Sequence, residues 1–536
     1  MIAFSVMYSL LLPAQNSYEE YVNGYIKGLQ TFKNRQDSVF AEVLKSRWEY
    51  FTAQKGREPE VKPIPVKPFT LDKNRKPQNI ELEVDIVIPV AKVPVQEKVV
   101  NTAPADKPLK KPEIKEPEKT VKPKPTRKNS RQSSHVKPKP VEKIPSVTND
   151  NKVNSGISGH STYEPAVTSV EIPEDVICNG NCKFSYLGSE MSVNIDPRLS
   201  VRLSGISEKN VADAWSELCG YDYKTTVYGC YKIKESLAMS DWMFFNMLRT
   251  IATTWFSRER ENEAVLFSMF LAVQCGYDVK IAAKSGSLML LFNSSYDIFR
   301  KSFINIDNAR YYIIDETGKG GNSISTYHGK FDSHTLPFDM RIKEMAHLKK
   351  DIKNTAHKSD SININTGVNK NLIDFYNAYP TCDYSVYIGT PVSDEFRNTV
   401  LSPIRDKIIN KNELEAANII LNFVQNGFSY MTDQEQFGYE RPFFAEECFY
   451  YPYCDCEDRS ILFYTLIREL LGLDVVLLDY PNHIATAVKF DNAVEGEYVM
   501  VGGDKYIICD PTCINARVGV TMPDFRTVKA KVLKYS

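Results

Sequence analysis

Apolar residues recur along this chain with two different periods, and the period changes from segment to segment. Between residues 16 and 56 the spacing is three to four. Tyr18, Tyr21, Tyr25, Leu29 and Phe32 form one stripe, and Phe40, Leu44, Trp48 and Phe51 form a second. That spacing predicts an amphipathic N-terminal helix whose apolar face either covers a core or serves self-association. Further on, SEKNVADAWSELCG carries Ser207 as N-cap and Gly220 as stop, and DWMFFNMLRTIATTWF (Asp241–Phe256) reads as a second apolar helix.

Two distant segments share one pattern. LFSMFLAVQCGYDVKIA (Leu266–Ala282) and LFYTLIRELLGLDVVLL (Leu462–Leu478) align without a gap, each an apolar helix, a glycine (Gly276 or Gly472) and an Asp-Val strand. Each is followed at a similar interval by a Tyr-Ile-Ile strand ending in an acid, YYIID (Tyr311–Asp315) and KYIICD (Lys505–Asp510). The repetition predicts two copies of one α+β unit, over residues 171–345 and 346–536.

Between helix and repeats the periodicity disappears. Residues 57–147 hold 16 of the 29 prolines, in phrases such as VKPIPVKP and TVKPKPTRK. Proline removes backbone donors and lysines repel one another, so residues 57–165 read as an extended linker with little to bury. Such a spacer reaches on the order of 280 Å at about 3.1 Å per residue, far enough to tether the C-terminal part away from the N-terminal helix. One stretch inside it, IELEVDIVIPV (Ile80–Val90), alternates like a strand and suits docking at a sheet edge.

Composition narrows the classes. A formal charge of −1 gives no electrostatic case for nucleic acid. The opening IAFSVMYSLLLPAQ is too short to span a bilayer and suits an export signal over residues 1–15, although no basic residue precedes Lys27. The expectation is an exported protein, periplasmic or extracellular, with no membrane span. Eleven cysteines cannot all pair within one chain. Cys178 and Cys182 in VICNGNC suit a small disulfide loop or half a metal site, but no second pair completes one.

Chemistry concentrates in CDCEDRSILFYTL (Cys454–Leu466). Cys456 stands at the predicted start of a helix, where unpaired N–H groups and the helix dipole favour a thiolate, while Asp455, Glu457 and Asp458 oppose it. In LDVVLLDYPNHIATAV a Pro-Asn turn leads into His483, the only histidine after His357. Asp510 ends the YIIC strand 27 residues after His483, which itself lies 27 residues after Cys456. Cysteine, histidine and aspartate in that order supply a nucleophile, its base and an acid that orients the base. At the positions of Cys456 and His483 the first copy carries Arg260 and Ser287, so chemistry is expected in the second copy alone.

DCEDRS, YPNHIATAV and YIICDPT resemble the transglutaminase-like superfamily, and NELEAANIILNFVQNGFSYMTD is similar to the helix and tyrosine-containing segment upstream in its bacterial members. The resemblance covers about residues 414–523. It implies a papain-like fold in which the cysteine begins a helix packed on an antiparallel sheet, with histidine and aspartate on adjacent strands. It also implies Cys456 as nucleophile, His483 as base and Asp510 as orienter. The activity implied is acyl transfer at a carboxamide of a protein or peptide, hydrolysis before cross-linking, with no cofactor or metal. Gln434 and Gln436 are candidates for the second oxyanion donor. Two other readings stay open: a non-enzymatic envelope scaffold, and a structural zinc site from Cys448, Cys454, Cys456 and His483.

Overall fold

Residues 37–58, 67–87, 179–314, 322–332 and 335–535 are described by the computed structural model, and all of them fall in one of its two units. The architecture is α+β. A helix over residues 37–45 leads into β1 (Glu49–Thr52), and β2 (Val84–Val87) follows. A hairpin of β3 (Cys182–Tyr186) and β4 (Ser189–Val193) precedes α1 (Glu208–Cys219), α2 (Lys224–Ser236), α3 (Asp241–Phe256) and α4 (Glu261–Gln274). Then come β5 (Val279–Lys284), β6 (Ser287–Asn293), β7 (Phe303–Ile306), β8 (Ala309–Ile313) and β9 (Ser323–Thr326). After the hairpin β10 (Ile352–Lys358) and β11 (Asn363–Asn369), α5 (Glu413–Asn426) and α6 (Cys456–Leu471) lead to β12 (Asp474–Tyr480), β13 (His483–Lys489), β14 (Tyr498–Val501), β15 (Asp504–Cys509) and β16 (Ala530–Leu533).

Beside the two-stranded β3-β4 and β10-β11, the other strands form two six-stranded sheets, ordered β1-β9-β5-β6-β8-β7 and β14-β15-β13-β12-β16-β2. Read from the last strand inward, β9-β5-β6-β8-β7 and β16-β12-β13-β15-β14 have the same order, and each first hairpin follows an apolar helix. The alternation of the strands explains why both faces of each sheet are covered. Val475 and Leu477 join the large core with Ile281, Leu290 and the helices. Val476, Leu478, Ala485 and Ala487 point into a second cluster, while Ala282, Met289 and Leu291 point into a third.

Local signals set the helix limits. Ser207 Oγ accepts the Asn210 N–H at 3.3 Å at the start of α1. At the end of α6, Gly472 adopts φ +69°, a left-handed cap that costs glycine little. No described helix is long and apolar enough to cross a membrane.

Two expectations about the N-terminal part change. The helix ends at residue 45, because the β-forming Tyr50, Phe51 and Thr52 pair antiparallel with β9 as β1. Its apolar face is occupied: Phe40 packs edge-on against Trp215 at 4.8 Å and Phe331 at 5.4 Å, and Leu44 and Trp48 are buried beside them. The stripe from Phe40 to Trp48 is therefore core, not a free self-association face; the stripe from Tyr18 to Phe32 lies outside the described residues, as does the expected export signal. The expected linker also begins with docked chain. Leu71 donates its N–H to Ile514 O at 2.9 Å and Leu82 to Tyr498 O at 2.8 Å, and both side chains are buried. β2 extends the second sheet by pairing parallel with β16, an edge position like the one the Ile80–Val90 alternation suggests. The remaining proline- and lysine-rich stretch, and Cys178, lie outside the described residues.

Candidate active site

α6 starts at Cys456 because Asp455 caps it. Asp455 donates its own N–H to the Asp458 carboxylate at 3.2 Å, a reciprocal capping arrangement that satisfies groups at the helix start. The first turn is tied to β13 by Ser460 Oγ, which donates to Ile484 O at 2.9 Å. The Ile484 N–H lies against the Cys456 sulfur. One residue earlier, His483 begins β13, since the two-residue turn Pro481-Asn482, with Asn482 at φ +63°, reverses the chain and pairs Tyr480 with His483. β15 pairs with β13, so Asp510, directly after β15, falls beside His483.

The contacts follow from that frame. His483 Nε2 meets Asp510 Oδ2 at 3.0 Å, and both side chains are buried. Asp510 is fixed further: its Oδ1 accepts the N–H groups of Thr512 (2.9 Å) and Cys513 (3.1 Å), and its carbonyl accepts Gln425 Nε2 at 3.0 Å. His483 Nδ1 has no hydrogen-bond partner. The Cys456 thiol is directed to Glu457 Oε2 at 3.1 Å and not to the imidazole.

This environment differs from the thiolate expected at a helix N-terminus. Burial pushes the Cys456 thiol well up, the charges of Glu457 and Asp455 push it further, and the Ile484 N–H opposes them. The site is also covered. Phe525 stacks on His483 with ring centroids 4.7 Å apart, and the Cys456 residue is 1% exposed.

The alternative zinc set does not assemble. Among the described residues, Cys448, Cys454, Cys456 and His483 are not gathered into a common donor group. Cys448 and Cys454 contact each other, with Cys454 Sγ also directed to Ser429 O at 3.9 Å. Of the oxyanion candidates, Gln434 is exposed and Gln436 Nε2 donates to Tyr453 O at 3.3 Å. In the first half, Arg260 donates to Ser200 Oγ at 2.9 Å and Ser287 is exposed, so neither position carries a nucleophile or base.

Sequence reasoning missed a group of buried acids around Cys456. Asp433, Glu440, Asp455 and Glu457 are all buried, with one carboxylate oxygen from each within 4.8 Å of the others. Burial pushes Asp433 up to about 9, with Asp455 adding to it, and pushes Asp455 up to about 6. Glu457 is raised well above the usual carboxylate range by burial and then by Asp455. The visible signal was the acid density of TDQEQFGYE and DCED; their convergence depends on the fold. No known family matches the chain, and no curated protein or solved structure does.

Proposed function

We propose that the chain is a thiol acyl-transfer enzyme of transglutaminase-like, papain-like architecture, acting on a carboxamide of a protein or peptide. The observation that carries this reading is the engagement of His483 Nε2 by the buried Asp510 while Nδ1 stays unpartnered, on the strand whose next N–H touches the Cys456 sulfur. Asp510 holds the ring orientation and stabilises the imidazolium once it forms. Cys456 sulfur attacks the carboxamide carbon, and its proton passes to His483. As the carbon–nitrogen bond breaks, His483 gives that proton to the departing amine, leaving a thioester on Cys456. Water, deprotonated by His483, then attacks the thioester and releases the acid; a primary amine in its place yields a cross-link. Hydrolysis is the favoured outcome, and the export-like opening of the chain suits a substrate in the cell envelope. Phe525 must leave the face of His483 before a substrate reaches the sulfur.

The closed site and the raised thiol favour a second reading, a scaffold that keeps the fold without the reaction. Alkylation of the folded full chain with iodoacetamide at neutral pH, mapped by mass spectrometry, separates the two. The enzyme reading expects Cys456 to react faster than the other buried thiols and to lose that advantage in His483→Ala. Equal, slow labelling of Cys456 in both proteins supports the scaffold. A supplied primary amine captured on the substrate acyl group distinguishes cross-linking from hydrolysis.

A further inference from the structure

We propose that Cys448 and Cys454 are joined in a disulfide by exchange with a small disulfide oxidant, and that this bond keeps Cys456 unpaired. The chain itself brings the two sulfurs together. Cys448 lies in a short helical turn, Ala445–Phe449. The N–H groups of Tyr450 and Tyr451 both donate to Glu447 O, at 2.9 and 3.0 Å, and Pro452, which has no N–H, ends the turn. The chain then folds back, and the Cys454 N–H donates to Ser429 O at 3.1 Å. There the Cys454 sulfur meets the Cys448 sulfur in a hydrogen-bonding contact, both side chains being buried thiols in this structure.

Three thiols stand close along this stretch, and the directions of their sulfurs decide the pairing. Cys448 Sγ is directed to Asp458 O at 3.6 Å and Cys454 Sγ to Ser429 O at 3.9 Å, on the side where the two meet. Cys456 Sγ is directed elsewhere, to Glu457 Oε2 at 3.1 Å and the Ile484 N–H of β13. A bond from Cys454 to Cys456 would draw Cys456 out of the first turn of α6, which Asp455 caps and Ser460 ties to Ile484 O. Once Cys454 is bonded to Cys448, the thiol nearest to Cys456 along the chain is no longer available to it.

The surroundings suit exchange. Burial opposes a thiolate at Cys454, but the Cys448 hydrogen bond and the Arg459 charge outweigh it and lower that thiol's pKa. Cys448 lies in the wall of a cavity of about 510 Å³ that His357, Ser429, Tyr450 and Tyr453 also line, room enough for a small disulfide such as cystine. With Cys454 ionised, Cys448 Sγ attacks one sulfur of cystine and passes its proton to Cys454 across their contact. One half of the cystine leaves as a thiolate. Cys454 Sγ then attacks Cys448 Sγ, and the second half leaves with the Cys454 proton. Two electrons pass from the protein thiols to cystine, which ends as two free cysteine molecules.

The test reads linkage and not turnover, so its outcome is independent of the acyl-transfer reading. The folded full chain is reduced, freed of reductant, incubated with cystine, then denatured and alkylated with iodoacetamide without further reduction. Chymotrypsin separates Cys448 from Cys454 at the intervening tyrosines, and tandem mass spectrometry tells Cys454 from Cys456. The expected result is a pair of peptides linked through Cys448 and Cys454, lighter by two hydrogens than the reduced pair. Alkylation of both residues falls about tenfold relative to the reduced chain, while that of Cys456 is unchanged. Cys456→Ser keeps the link. Undiminished alkylation of Cys448 and Cys454 in the parent overturns the disulfide, and a bond between Cys454 and Cys456 overturns both the pairing and the protection of Cys456.

Discussion

Glu446 offers a clean test of how burial sets charge in this fold. Its carboxylate accepts the Ser393 N–H at 2.6 Å on one oxygen and the Ser393 hydroxyl at 2.8 Å on the other. Those bonds favour the ionised form, yet burial outweighs them and pushes the group up to about 7, from an ordinary value of 4.5. Below pH 4.5 the group is protonated in both folded and unfolded chains and contributes no pH dependence. Between pH 4.5 and about 7 the unfolded chain releases its proton while the folded chain keeps it, so stability falls as pH rises. Above 7 both are ionised and the loss is complete. A difference of 2.5 units at 1.36 kcal/mol each makes that loss about 3 kcal/mol. Glu446→Gln is neutral throughout and disturbs one of the two bonds to Ser393, a cost of about 1 kcal/mol. The variant is therefore expected to be about 1 kcal/mol less stable than the parent at pH 4 and about 2 kcal/mol more stable at pH 8. Urea unfolding of both proteins at half-unit steps from pH 4 to 8 reads the difference, in which distant titrations cancel. Parallel stability curves across that range would refute the argument that burial governs Glu446.

Three further outcomes follow from single contacts. Phe40→Ala removes a side chain 1% exposed between Trp215, Tyr327 and Phe331 and should cost about 3–5 kcal/mol, read as a lowered urea midpoint; an unchanged midpoint would mean that residues 37–45 are not part of the core. Ser460→Ala breaks the 2.9 Å bond to Ile484 O and should destabilise by about 1 kcal/mol, with faster amide exchange at the start of β13. Gly472→Ala forces φ +69° on a residue with a side chain, so about 1 kcal/mol should be lost although nothing lies within 4 Å of the added carbon.

How much could be read in advance differs from element to element. Ser207 and Gly472 terminate their helices through bonds and backbone angles that involve only neighbouring residues, so α1 and the end of α6 were visible in the one-dimensional pattern. The same holds for His483, placed at the head of β13 by a two-residue Pro-Asn turn between two apolar segments. The segment from Arg47 to Thr52 was misread as helix, because Trp48 and Phe51 fit a helical spacing by coincidence. Pairing with β9, whose Thr326 stands opposite Glu49, decided its conformation.

By itself, then, the chain determined the mixed α+β composition, the helix limits at Ser207 and Gly472, and the order of cysteine, histidine and aspartate. These are consequences of propensity and short-range hydrogen bonding. Tertiary structure decided between the two roles open to the helix, placing residues 37–45 in the core, and decided that β2 extends the second sheet beside β16. It also decided that Phe525 covers His483 and that four acids from two segments meet beside Cys456. Each of those depends on burial shared between distant residues, and burial is also what raises the Cys456 thiol above the level its helix position alone would suggest.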